Sequence, residues 1–395
     1  MINNYETETR GRGFLSQENI TSLKSVLKEG KLAEAVALIN KKIEDVDNAL
    51  LNIAVTGESG SGKSSFINAF RGIGNEDDDA ASTGVVETTT NISSYEHPKF
   101  PNVKFWDLPG IGTPNFQPKS YLKQVNFSDY DFFFIMSSSR FRDNDAKLAQ
   151  EIRQMGKKFY FVRTKIDSDL DNERKAKPKS FNRENVLQQI RKNCSQHLQK
   201  VGTEEPQIFL ISNFELASFD FPKLQDILTK ELPEHKRHVF LLSLPNISED
   251  IINQKKATLQ EKIWLKALKS GLLSTVPFVG FFREESIAQL QNHLNDYQRD
   301  FGVDDASLLK ISQESNRSIE ELKTLIKSPH LLTIKKDENL SEKLLRWAEI
   351  FCSLNGGLLA TGLYYRKSYK IQSYFLETVA DDAKILLLKV WESPV

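Results

Sequence analysis

The chain has 395 residues, with 53 basic against 53 acidic side chains and a formal net charge of zero. Balanced charge argues against a whole-chain nucleic-acid binder. Two distant cysteines, Cys194 and Cys352, argue against a disulfide scaffold or a Cys-rich zinc site and suit a reducing, cytoplasmic setting. No run approaches the roughly 18–20 apolar residues that span a bilayer, and the length suits about two to three domains.

Three zones follow in chain order. Residues 1–48 hold an N-terminal helical segment. Ile20, Leu23, Leu27, Ala35, Val36 and Ile39 recur at helical spacing, Gly30 is a break, and Ser16 is placed to cap the first of two short helices. Residues 49–235 alternate apolar runs with amphipathic ones. Strands are expected at Leu51–Thr56, Val103–Trp106, Phe132–Ser137, Phe159–Thr164 and Gln207–Ile211. Helices are expected at Lys63–Arg71, Asp143–Met155, Arg183–Gln199 and Phe221–Glu231. Near-continuous apolar strands separated by helices predict a mostly parallel sheet covered on both faces. Residues 236–395 carry helical periodicity over Ile251–Lys269, Ser286–Phe301 and Ser341–Leu354, which predicts a C-terminal helical domain.

Gly57-Glu58-Ser59-Gly60-Ser61-Gly62-Lys63-Ser64 fits G-x-x-x-x-G-K-[ST], with a strand before it and a helix from Ser65 after it. Such a loop turns backbone N–H groups and a helix N-terminus toward phosphates. Lys63 reaches the β- and γ-phosphates, and the Ser64 hydroxyl suits Mg²⁺. The pattern alone does not choose between ATP and GTP. Thr164-Lys165-Ile166-Asp167 makes that choice. Its carboxylate accepts from guanine N1–H and the 2-amino group, and adenine offers neither donor. Ser212-Asn213 follows the next strand, either as the last base-contacting loop or as a plain turn.

Asp107-Leu108-Pro109-Gly110 fits D-x-x-G, with Asp107 toward Mg²⁺ and the Gly110 N–H toward a γ-phosphate. Between the motifs, the acidic, Thr-rich stretch 75–90 has the composition of a switch loop and of any solvated loop. Thr89 is the expected Mg²⁺ ligand there, with Thr83 in reserve. Position 111, where many small GTP-binding proteins place a water-orienting glutamine, is Ile111. Another group must then position the nucleophile, and Glu87 is the expected one, unless it is an ordinary solvated glutamate.

These residues, with Trp106–Thr113, Tyr130–Phe133, Phe159–Asp169, Lys236-Arg237-His238 and Phe301–Leu308, resemble the immunity-related, interferon-inducible GTPases over nearly the whole chain. Lys63 places the resemblance with the lysine-bearing effector type. The resemblance implies a Ras-like P-loop GTPase domain between helical segments that form a helical domain. It implies hydrolysis of GTP to GDP with Mg²⁺, and homodimers or oligomers through the GTPase domain, also with family members of the same type. It further implies peripheral association with the endoplasmic reticulum or pathogen-containing vacuoles in cell-autonomous innate immunity. The alternative is a nucleotide-gated regulator with negligible hydrolysis. Ile2 stands where myristoylation requires glycine, so recruitment is expected through protein surface or a lipidated partner. Two apolar segments, 271–282 and the Leu340–Leu359 stripe, suit either shallow membrane contact or buried helical core.

Overall fold

The structure is a computed structural model that describes residues 14–84, 92–112, 117–139, 141–200, 202–203, 206–273, 287–331 and 360–391. The chain divides into two compact units: residues 50–232 with 243–247, and residues 1–49, 233–242 and 248–395. In chain order the elements are α1 (Gln17–Lys28), α2 (Leu32–Asp47), β1 (Leu51–Gly57), α3 (Lys63–Arg71), β2 (Ser93–Glu96), β3 (Val103–Asp107), α4 (Pro118–Gln124), β4 (Phe132–Ser137), α5 (Asp143–Gln154), β5 (Lys158–Arg163), α6 (Ile166–Ala176), α7 (Arg183–Lys200), β6 (Ile208–Leu210), α8 (Phe221–Glu231), α9 (Glu234–Ser243), α10 (Glu249–Leu273), α11 (Ile287–Asp300), α12 (Asp305–Ser315), α13 (Ile319–Leu325) and α14 (Ala360–Leu386).

In the first unit the strand order is β2-β3-β1-β4-β5-β6. All pairings are parallel except β2 with β3. The crossovers run to opposite sides of β1, first to β3 and then to β4, so the topological switch lies at the C-terminal end of β1. That crevice is where open α/β sheets bind ligands, and the phosphate loop leaves β1 there.

Phenylalanines cover one sheet face. From α3, Phe66 meets Phe134 with ring centroids 5.0 Å apart, and Phe70 meets Phe105 at 5.1 Å and Phe221 at 5.5 Å. All five rings are buried. Aromatic edge-to-face packing adds to the burial, and it holds α3 firmly enough to fix the side chains of its first turn, Lys63 and Ser64. The opposite face is covered by Leu108, Ile111, Tyr121, Leu122, Leu148, Ile152 and Ile166 over Phe133, Ile135 and Phe161. The result is an α/β architecture with a mostly parallel sheet.

The second unit is helical throughout its described residues. Ser16 caps α1, accepting from the Asn19 N–H, and Gly30 (φ 72°) separates α1 from α2, as the sequence predicts. Ile20, Leu23, Ala35, Ile39 and Val46 pack with Trp264, Leu265 and Leu268 of α10. The buried Glu261 carboxylate accepts from the Phe14 and Leu15 amides. His238 bonds Thr258 at 2.8 Å, and burial drives its pKa well below the usual range, so it is neutral. The 340–359 stripe and most of the 271–282 segment lie outside the described residues. Among the described residues no helix is long and apolar enough to cross a membrane.

Candidate functional site

The loop from Gly57 to Gly62 curls at two positions that only glycine fits. Gly57 has φ 144°, and a Cβ there would meet the Met136 carbonyl oxygen at 2.1 Å. Gly62 has φ 85° and caps α3, a left-handed conformation costly for other residues. Lys63 is buried, its Nζ donating to the Gly57 carbonyl at 3.3 Å and the Glu58 carbonyl at 3.1 Å. The ammonium is thereby tethered within the loop it would share with phosphates. Ser59 and Gly60 are exposed at the crest, and Ser65 is half-buried behind.

Two motifs distant in sequence converge on this loop. The Ser64 hydroxyl donates to Asp107 Oδ2 at 2.8 Å, with Asp107 itself buried at the end of β3. A hydroxyl and a carboxylate held this close are hard oxygen donors of the kind Mg²⁺ takes, so the residues present fit that ion. Beyond them the loop crosses to the sheet. The Leu108 N–H donates to the Val55 carbonyl at 2.9 Å, and the Ile111 carbonyl accepts from Asn144 Nδ2 at 2.7 Å. Ile111 is fully buried in the core.

The base motif reaches the phosphate loop from the other side. Thr164 Oγ1 donates to the Ser61 carbonyl at 2.8 Å, and Asn213 Nδ2 donates to the Gly62 carbonyl at 3.1 Å. Lys165, exposed and at φ 57°, caps α6, which puts Asp167 in the first turn where the helix dipole favours a carboxylate. Arg163 pairs with Asp169 across the same turn. Ser212 Oγ, buried, accepts from the Phe214 and Glu215 amides and shapes the last loop.

Among the described residues, Ser61 Oγ, Asp167 Oδ1 and Asn213 Oδ1 are buried and make no hydrogen bond. A buried polar atom left unpaired costs roughly 1–3 kcal/mol. These atoms, in the phosphate loop, the base motif and the loop after β6, are ones whose partners a bound ligand would supply.

The structure thus brings together Gly57–Ser65, Asp107, Thr164, Lys165, Asp167, Ser212 and Asn213. Gly110 lies in the loop after β3, half-buried. Glu87 and Thr89 lie outside the described residues. Thr83 is exposed. The start of the 75–90 stretch is more tightly held than its composition suggests. Asn68 Nδ2 donates to Asn75 Oδ1 and the Ala81 carbonyl, both at 3.0 Å, while Arg71 donates to the Asp79 carbonyl at 2.9 Å.

Sequence reasoning missed several contributors. Arg142 bridges to Glu58 of the phosphate loop at 2.8 Å, and Ser138 Oγ donates to the Gly60 carbonyl at 3.2 Å. Both follow β4, and their position just after a strand end was the only available signal. Asp145 is buried beside Glu58 and Arg142, and desolvation raises its pKa to about 7.

Comparison with known proteins agrees with this geometry. The sequence model of the family described as interferon-inducible GTPase (IIGP) matches residues 16–390. The chain belongs to that family. It is a P-loop GTPase that binds GTP and GDP. It is 50% identical over 386 residues to mouse interferon-gamma-inducible GTPase 10, covering 98% of this chain and 92% of that protein. It is 48% identical over 384 residues to mouse T-cell-specific guanine nucleotide triphosphate-binding protein 2, covering 97% and 92%. To mouse interferon-inducible GTPase 1 it is 42% identical over 380 residues, covering 96% and 92%.

Proposed function

We propose that GTP lies across the converging loops, with its phosphates over Gly57–Ser65 and its base between Lys165 and the Ser212-Asn213 turn. The observation that carries this reading is the unpaired Asp167 Oδ1, buried next to loops already tied to the phosphate site. Guanine N1–H and the 2-amino group are the donors that match it. Lys63 neutralises charge on the β- and γ-phosphates, and its loop carbonyl partners keep it in place. Ser64 and Asp107 would hold Mg²⁺, and Thr89 would join them in the triphosphate state. When bound, the ion supplies charge neutralisation across the phosphate oxygens. The Gly110 N–H senses the γ-phosphate. The compact unit of residues 50–232 with 243–247 is this nucleotide domain, and the unit of residues 1–49, 233–242 and 248–395 is the helical one.

The buried Ile111 cannot orient water, so a single nucleotide domain is a slow enzyme. Pairing of two GTPase domains, with this chain or with relatives of the same type, brings Glu87 to the attacking water. The assembly works on intracellular membranes, by peripheral contact with the endoplasmic reticulum or pathogen-containing vacuoles, in cell-autonomous immunity. The family resemblance supports this part. Specific GTPase activity measured across protein concentration tests it. Activity rises with concentration and the rise flattens in Glu87→Ala, whereas activity constant down to high dilution removes the paired mechanism.

A further inference from the structure

Tyr121 of α4 sits beneath the loop that follows β3, and its side chain is buried. Its hydroxyl donates to the Pro109 carbonyl at 3.0 Å and lies 2.7 Å from Thr56 Oγ1. A carbonyl oxygen only accepts, so the single phenolic proton points to Pro109 and the Thr56 hydroxyl donates to Tyr121 Oη. Burial raises the phenol pKa well above its usual range, so that proton is retained at any physiological pH. The relay joins two nucleotide-sensing segments. Thr56 is the residue before Gly57, and Pro109 is the residue before Gly110.

The Pro109 carbonyl and the Gly110 N–H belong to one peptide unit. In a trans peptide they point in opposite directions. A hydrogen bond that draws the carbonyl inward to Tyr121 therefore turns the N–H outward, away from the core, and polarises it as a donor. The flanks of this unit are already fixed, by Leu108 N–H on the Val55 carbonyl and by Asn144 on the Ile111 carbonyl. Rotation of the Pro109–Gly110 plane is the freedom left, and Tyr121 is the group that stops it.

We infer that Tyr121 is a positioning residue for the reaction: through Pro109 it holds the Gly110 N–H in the orientation that reads a γ-phosphate, and Thr56 links that orientation to the root of the phosphate loop. This rests on the proposed contact of Gly110 with the γ-phosphate, and the two can be tested separately.

Pro109-Gly110 is the only Pro–Gly pair in the sequence. Labelling proline carbonyls with ¹³C and glycine amides with ¹⁵N therefore selects this one peptide in the 395-residue chain. In the wild type the Gly110 amide resonance moves when GDP is replaced by a non-hydrolysable GTP analogue. No movement in the wild type overturns the γ-phosphate contact itself. Tyr121→Phe keeps the ring and removes the relay. It shrinks that movement and lowers affinity for the analogue about two- to tenfold, the worth of one net hydrogen bond, with GDP affinity within about twofold. A wild-type response in Tyr121→Phe overturns the role of Tyr121 alone. Equal loss for both nucleotides assigns Tyr121 to structure only, and overturns it too. If Tyr121→Phe does not fold, Thr56→Val decides: it gives a smaller change in the same resonance, and an unchanged resonance overturns the relay.

Discussion

Thr164 Oγ1 donates to the Ser61 carbonyl across 2.8 Å, spanning 103 residues of sequence to tie the base motif to the phosphate loop. The same hydroxyl lies 3.3 Å from the Ser137 carbonyl at the end of β4. One buried side chain thus sets the distance between the part of the site that reads the base and the part that holds phosphate. Thr164→Val keeps the shape and removes the donor. Stability should fall by about 1 kcal/mol, a drop of about 2–4 °C in Tm for a domain of this size. GDP and GTP affinities should fall together, read by calorimetric titration.

If Ser64 and Asp107 are the Mg²⁺ ligands, as proposed, they determine the response to the metal. Chelating Mg²⁺ should weaken GTP binding by the wild type and change little in Ser64→Ala, because the alanine variant has already lost one of the two oxygen donors held 2.8 Å apart. Nucleotide titrations with and without chelator make the comparison. An equal chelator effect in both proteins would put the ion elsewhere.

Lys63→Ala should lower single-turnover GTP hydrolysis about a hundredfold or more, the scale seen when a preorganised transition-state donor is lost. The loop is shaped by the backbone of Gly57 (φ 144°) and Gly62 (φ 85°), which the substitution leaves in place, so it keeps its geometry in the variant. Circular dichroism should stay unchanged while turnover collapses.

Asp145 gives a pH dependence. Its folded pKa of about 7 lies above the ordinary 3.8, chiefly through desolvation. A carboxyl raised on folding holds a proton that the unfolded chain has released. Its stabilisation is complete below about 3.8 and is lost as pH rises toward about 7. Asp145→Asn stays neutral and keeps an acceptor for the Arg142 N–H, which now donates to Asp145 Oδ2 at 3.2 Å. Chemical denaturation should show the variant gaining on the wild type between about pH 5 and about pH 7, roughly the upper half of that window. Parallel curves would contradict the buried acid.

The parts of the fold with strong local signals were readable in sequence. Phe132–Ser137 and Lys63–Arg71 come out at the expected bounds because their burial is nearly uniform in one case and motif-anchored in the other. β2 was not readable: Ser93-Ser94-Tyr95-Glu96 is a polar edge strand of four residues, formed by pairing with β3. Nor was α6, whose Ile166–Ala176 run has only Ile166 and Leu170 buried among acidic and basic residues and begins inside the base motif. The phosphate and base residues were legible because spacing encodes their chemistry. Tyr121, Asn144 and Arg142 were not, because each acts on a residue distant in the chain and no motif spacing marks it.

In the proposed function Asp167 selects guanine at a site that hydrolyses the triphosphate. Asp167→Asn exchanges an acceptor pair for a mixed donor and acceptor. Losing a charge-assisted contact costs about 1.5–3 kcal/mol, or roughly ten- to a hundredfold in affinity. The decisive measurement is single-turnover hydrolysis of GTP, xanthosine triphosphate and ATP by the wild type and by Asp167→Asn. The wild type should prefer GTP over both others, and the variant should lose GTP while gaining xanthosine triphosphate. Equal use of ATP and GTP by the wild type, or an unchanged preference in the variant, would contradict it.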